Sequence, residues 1–240
     1  MAARAQMEHN MSAITGDLLE MTSLVEETIY SAVRSLKEKD GELARAIIDG
    51  DEKIDDIEDA IADKTLKFLA TQQPLAGDLR MCISILQLIR DLERIGDHCE
   101  DIAKYTLRLE NETYMKELID IPRMADMAAK MVKNAIDAFV NRDLRLARKV
   151  WIADEEVDEL FRSVHEELLG MIGEDERKNR QSVMFLFIAS HLERIADYAT
   201  NICEETVFAI EGIVDMEKER SQNAQGVVPD PAAKQSGADK

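Results

Sequence analysis

An internal repeat constrains the fold of this chain more than any other feature of its sequence. Residues 92–97 read Leu-Glu-Arg-Ile-Gly-Asp, and residues 192–197, about a hundred positions later, read Leu-Glu-Arg-Ile-Ala-Asp. Upstream of these, the acidic stretch 51–56 corresponds in the same way to 154–159. A chain of 240 residues with such a repeat is predicted to fold as two related halves of about a hundred residues each.

The composition and the spacing of apolar residues predict that both halves are helical. The chain has only 10 Gly and 4 Pro, with 5% aromatic residues, which favours long helices over sheets. Apolar residues at three- and four-residue steps predict three helices in each half, and short connections predict antiparallel neighbours. The predicted fold class is all-α, two tandem pseudo-symmetric three-helix bundles with six helices. The predicted units are 8–112, 113–216 and a disordered tail at 217–240.

The ends of the predicted helices follow from turn residues. The first helix should end near the turn Lys39-Asp40-Gly41, and the second before the stretch 73–77, which contains Pro and Gly. Asp78 is then expected to cap the third helix. In the second half, helices are predicted near 118–141, 143–172 and 176–211.

The charge of the chain bears on its partners and its compartment. A formal net charge of -19 repels phosphate backbones, so direct nucleic-acid binding is not expected. Three cysteines without a Cys-x-x-Cys spacing and the lack of a long apolar run predict a protein of the reducing cytoplasm with no membrane insertion. Cations and basic protein surfaces are the expected partners.

Acidic residues four positions apart recur on the repeated helices, and residues at this spacing share one helix face. Carboxylates from two helices suit Mg²⁺, Mn²⁺ or an iron ion better than zinc. The alternative is a solvated face whose carboxylates pair with Arg94, Arg194 or Lys104. The candidate ligands are Asp51, Asp55, Glu93, Asp97 and Asp101 in the first half, with Glu100 at the edge, and Asp154, Asp158, Glu193, Asp197 and Asn201 in the second, with Glu204 one position round.

The histidines are predicted to be structural. His9, His98, His165 and His191 are scattered along the chain, and none follows a Glu by three positions, as in the di-iron helical bundles. No glycine-rich phosphate loop and no nucleophile elbow is present either.

Three blocks in order carry a family resemblance. Residues 73–80 read Gln-Pro-Leu-Ala-Gly-Asp-Leu-Arg, residues 91–97 read Asp-Leu-Glu-Arg-Ile-Gly-Asp, and Asp51-x-x-Ile54-Asp55 precedes both. Together they resemble the PhoU family of phosphate-transport regulators, over nearly the whole chain. The second half repeats two of the three blocks but lacks the proline turn.

The resemblance implies pseudo-symmetric three-helix bundles, often dimeric, with metal ions on the acidic faces. It also implies a non-enzymatic, cytoplasmic negative regulator of phosphate uptake and phosphate-starvation signalling. Its implied partners are the ATPase subunit of a phosphate ABC transporter and a sensor histidine kinase. Asn201 stands where the first half has Asp101, so the second face is expected to hold its metal more weakly.

Two other functions remain open from the sequence. A carboxylate-bridged metalloenzyme, a hydrolase or an oxidase, would use a metal-bound water as its nucleophile. A purely structural helical scaffold would leave its acidic faces empty.

Overall fold

The computed structural model describes residues 2–212, except for the side chains of residues 2–6 and 8. The described part of the chain contains seven α-helices and no strand. The helices are α1 (Ala2–Glu38), α2 (Gly41–Gly50), α3 (Glu52–Gln72), α4 (Gly77–Leu109), α5 (Asp120–Val140), α6 (Leu144–Gly170) and α7 (Glu176–Glu211). The predicted tail at 217–240 lies outside the described residues.

The helices α2 and α3 together form the predicted second helix of the first half. Only Asp51 separates them, and its backbone angles, φ −62° and ψ −41°, are themselves helical. In the second half, α6 runs without interruption through the equivalent position, Asp154. Counted as α1, α2–α3, α4, α5, α6 and α7, the elements match the six predicted helices, although α1 begins at Ala2, well before the apolar pattern from which it was predicted.

The same turn leads into the second helix of both halves. The Asp40 carboxylate accepts hydrogen bonds from the Glu42 and Leu43 amides at 3.0 and 2.9 Å. Asp143 caps α6 in the same way through two amides at 2.9 and 3.1 Å. Each cap satisfies amides that have no partner within the helix, which explains why the helices begin there.

The expectation that Asp78 caps α4 is wrong. The helix begins at Gly77, the capping position is Ala76 with φ 46°, and no side chain bonds to the first amides. The turn after Pro74 enters the helix two residues earlier than expected, which puts Asp78 inside the first turn. There its negative charge still lies favourably near the positive end of the helix dipole.

One continuous hydrophobic core joins the two bundles. In the first half α1 packs against α2, α3 and α4, and in the second α5, α6 and α7 pack together. Contacts of α4 with α7 and of α1 with α5 connect the halves, and buried residues of all seven helices belong to one cluster. The predicted fold class is confirmed, whereas the division into units at 8–112 and 113–216 stays a prediction.

No helix between residues 2 and 212 is long and apolar enough to span a membrane. The three cysteines, Cys82, Cys99 and Cys203, are free thiols buried in the core.

Candidate functional site

The first predicted set of carboxylates gathers where the start of α3 faces the middle of α4. The pKa of Asp51 is raised to about 6, first by burial and then by the negative charges of Asp55, Glu100 and Asp97, while Lys104 lowers it. Asp51 therefore lies close enough to these three carboxylates to be repelled by them. Such repulsion favours the neutral form of an acid unless a cation is present.

A glycine allows the close approach of the two helices at this point. A Cβ atom on Gly96 of α4 would lie 3.2 Å from Asp51 Oδ1 and 2.9 Å from Cδ1 of the buried Ile54. The second half has Ala196 at the equivalent position, and Ala196 is fully buried. Gly96 thus lets the Asp51 carboxylate lie against the α4 backbone.

Glu93 and Glu58 complete this group. Burial is the first cause of the raised pKa of Glu93, followed by the charge of Asp97, and Glu58 and Asp55 contribute as well. Arg94 offsets part of this charge, with Nε 3.4 Å from Glu93 and Nη1 3.0 Å from Asp97. We call Asp51, Asp55, Glu58, Glu93, Asp97 and Glu100 the first acidic face.

Asp101 does not lie on the first acidic face, although its spacing suggested that it would. Successive positions four apart rotate by roughly 40° around a helix of 3.6 residues per turn, so Asp101 is rotated by about 80° from Glu93. Glu100 and Lys104 stay within about 20° of Glu93 and take the place expected for Asp101. The Asp101 carboxylate is instead directed to α7, with Oδ2 4.0 Å from His191 Nε2.

The second half contains a corresponding set of carboxylates. Burial raises the pKa of Glu193 and of Asp197, and the charge of Asp158 on α6 raises both further. Burial raises the pKa of Cys203, and the charges of Glu204 and Asp154 raise it as well, so both acids lie near this thiol. We call Asp154, Asp158, Glu193, Asp197 and Glu204 the second acidic face.

The substitution of Asn201 for an acid does not affect the second acidic face directly. Asn201 is exposed, and like Asp101 it is rotated away from the row that contains Glu193. The difference between the faces is elsewhere: α4 carries Lys104, bound to Glu100, where α7 carries Glu204. The expectation of weaker metal binding in the second half therefore stays untested, and its stated reason no longer applies.

The two acidic faces have a donor set that fits a hard divalent cation or an iron ion. All the donors are carboxylate oxygens, contributed by two helices in each half, and Mg²⁺ and Mn²⁺ prefer such ligands. A bound cation would also relieve the repulsion that raises the pKa of Asp51 and Glu93.

The contact between α4 and α7 brings together two histidines that the sequence prediction treated as structural. Nδ1 of His98 lies 3.1 Å from Nδ1 of His191. Among the side chains that the structure describes, only His98, His191 and Asp101 place three potential ligand atoms within 4.8 Å of one another. Because these histidines are separated by about ninety residues, no local spacing could have identified the pair.

The surroundings of both histidines lower their pKa and so favour the neutral imidazole. The pKa of His98 is lowered to about 4, first by burial and then by His191 and Arg194, against the opposite effects of Asp101 and Asp97. Burial and Arg194 also lower the pKa of His191, although Asp101 opposes them. Each ring therefore has one nitrogen with a free lone pair and one that carries a proton.

Further along the same contact lies a partly buried acid, Asp91. The pKa of Asp91 is raised to about 7, first by burial and then by the charge of Glu205 on α7. Glu205 accepts a hydrogen bond of 2.8 Å from the Ser84 hydroxyl. The contact between α4 and α7 thus contains titratable groups at two positions along its length, the histidine pair and Asp91 with Glu205.

Comparison with known proteins gives consistent matches over most of the chain. A family model described as the PhoU domain matches twice, over residues 18–106 and 121–206. A phosphate-specific transport system accessory protein PhoU homolog from Clostridium acetobutylicum is 38% identical over 210 residues, 87% of this chain and 96% of that protein. A homolog of the same description from Aquifex aeolicus is 37% identical over 195 residues, 81% of this chain and 88% of that one. The crystal structure of PhoU from Pseudomonas aeruginosa matches with a TM-score of 0.81 at 32% identity, covering 86% of this chain and 99% of that one.

Proposed function

Since this chain belongs to the PhoU family, we propose that it is a negative regulator of phosphate uptake whose acidic faces bind metal ions and dock on partner proteins. Relatives that cover most of its length are described as accessory proteins of the phosphate-specific transport system. The proposed partners are the ATPase subunit of a phosphate ABC transporter and a sensor histidine kinase. We expect the regulator to act in the cytoplasm, as a homodimer and without catalysis.

The observation that carries this proposal is the repetition of the acidic face in both halves. Each face combines carboxylates of two packed helices, and each has carboxyl groups whose pKa is raised by burial and by like charges. A structural scaffold would gain nothing from placing like charges together twice, because their repulsion destabilises the fold. Binding of Mg²⁺, Mn²⁺ or an iron ion would convert this repulsion into attraction.

Metal binding would also change what the faces present to a partner. With a net charge of -19, the metal-free surface attracts any basic surface without selectivity. A bound divalent ion neutralises a local group of carboxylates and leaves open coordination positions for acidic groups of a partner. Docking would then depend on metal, as in other switches built from local electrostatics.

The experiment compares the wild type with Glu93→Gln/Asp97→Asn, which removes two charges from the first acidic face with little change of shape. The control is Asp63→Asn/Asp126→Asn, which removes two exposed carboxylates paired with Lys67 and Lys130. Added Mn²⁺ should raise the melting temperature of the wild type and the control, and much less that of the face variant. The transporter ATPase subunit and the sensor kinase should be retained by the wild type and the control in pull-downs with Mn²⁺.

The cellular consequence provides the decisive result. Cells with the face variant should express a phosphate-starvation reporter in phosphate-rich medium, whereas cells with the control variant should repress it. Normal repression by a stably folded variant that no longer binds Mn²⁺ would contradict metal-dependent docking. Metal-dependent turnover of phosphate esters by the wild type, lost in the face variant, would instead support the metalloenzyme.

A further inference from the structure

The contact between the two bundles contains a cluster of potential ligands that is separate from the acidic faces. His98 belongs to α4 and His191 to α7, and their Nδ1 atoms face each other at 3.1 Å. Two imidazole nitrogens on one tetrahedral zinc ion, at about 2.0–2.1 Å each, are separated by roughly 3.3 Å. The observed spacing already agrees with two ligands of one ion.

Asp101 provides a third donor at the edge of this cluster. Its Oδ2 lies 4.0 Å from His191 Nε2, while its Oδ1 lies 3.3 Å from Lys104 Nζ. One carboxylate oxygen can therefore turn toward an ion while the other keeps its ion pair. Because 43% of the Asp101 side chain is exposed, this movement needs a side-chain rotation and no change of the backbone.

The hydrogen bonding of the pair does not fix the tautomer of His98. A direct bond between two neutral imidazoles uses the proton of one Nδ1 and the lone pair of the other. Nε2 of His98 is buried and has no hydrogen-bond partner, so no contact fixes the position of the proton on that ring. His98 is thus free to present the lone pair of Nδ1, and both lone pairs would be used by a shared cation.

We infer that a divalent ion of the zinc class binds between α4 and α7, held by His98, His191 and Asp101. Two imidazoles and one carboxylate are a ligand set that zinc uses with a fourth, open position, whereas Mg²⁺ and Mn²⁺ prefer oxygen donors. Arg194 is the only cationic side chain among the groups that shift the pKa of His98 and His191, and it would oppose the binding of a cation. The charges of Asp97 and Asp101 oppose the effect of Arg194 on His98. The ion clamps the two bundles together at their shared interface.

The experiment measures Zn²⁺ binding to the full chain by calorimetry in a large excess of Mg²⁺, which occupies oxygen-only sites. The variants His98→Gln, His191→Gln and Asp101→Asn are compared with His165→Gln, which changes an exposed histidine of α6. The wild type and His165→Gln should bind one zinc ion more than either ligand-histidine variant. Asp101→Asn should weaken zinc binding by about tenfold or more.

Two measurements separate this site from the acidic faces. Glu93→Gln/Asp97→Asn should keep the zinc ion that His98→Gln loses. The zinc site and the metal sites of the acidic faces can therefore be confirmed or contradicted independently of each other. Binding of Co²⁺ in place of zinc should give the visible absorption of a tetrahedral site with nitrogen ligands. Equal zinc affinity and stoichiometry in the wild type and the two ligand-histidine variants would overturn the inference. If those variants fail to fold, unchanged zinc binding in the folded Asp101→Asn variant would overturn it as well.

Discussion

Replacing Gly96 by alanine tests the close approach of α3 and α4 at the first acidic face. In an open helical position this replacement stabilises by about 0.8–1.0 kcal/mol, since glycine loses more backbone entropy on folding. At Gly96 the new methyl group would lie 2.9 Å from Cδ1 of Ile54, which is 2% exposed and has little room to move. Overpacking of a core typically costs about 1–3 kcal/mol, so we expect a net loss of roughly 0–2 kcal/mol.

The matched control is Gly16→Ala in α1. An added Cβ there meets nothing within 4 Å, so this variant should gain about 1 kcal/mol. Urea unfolding in a chelating buffer measures both changes, and the two variants should differ by about 1–3 kcal/mol. In a chain of this size that difference shifts the melting temperature by about 2–4 °C for each kcal/mol. Equal stabilisation by Gly96→Ala and Gly16→Ala would refute the steric reasoning.

Two further predictions concern charge. In the folded protein Asp91 has a pKa of about 7, above its ordinary value of 3.8. Between these two pH values the folded protein keeps a proton that the unfolded chain releases, so the free energy of unfolding falls as the pH rises from about 4 to about 7. Asp91→Asn should therefore raise the free energy of unfolding at about pH 8 and much less at about pH 4, and an equal effect at both values would contradict the assignment. Lys104→Gln should strengthen Mn²⁺ binding at the first acidic face roughly fivefold, and Glu204→Lys should weaken Mn²⁺ binding at the second acidic face. Calorimetry measures both affinities, and an unchanged Mn²⁺ affinity in either variant would contradict the prediction for that face.

The sequence predicted the fold well because its signals are local and repeated. Helix periodicity is read within a few turns, and Asp40 and Asp143 act as caps through amides two and three positions away. Asp78 was assigned wrongly because Asp is common both at the cap and in the first turn, and only the path of the chain after Pro74 distinguishes the two.

The candidate sites were predicted less completely, because they depend on the contact between elements. Spacing alone placed Asp101 with Asp97, but the helix rotates by about 40° at each step of four, and this drift directs Asp101 to α7. The pairing of His98 with His191 depends on how α4 crosses α7, which no pattern within either helix encodes. Gly96 was visible as a difference between the two repeats, since Ala196 replaces it, but its meaning required the position of Asp51.

The shared core between the bundles bears on how such a chain could have arisen. A half-length ancestor would have left the apolar sides of its first and third helices open to water, so it would have needed a second copy of itself to cover them. In such a symmetric pair, each contact between the two third helices would occur twice. Joining the copies into one chain removed that restriction: the positions equivalent to His98 and His191 now hold Tyr198 and Asp91. A histidine pair can therefore occur once, on one side of the former two-fold axis, while the other side evolves separately.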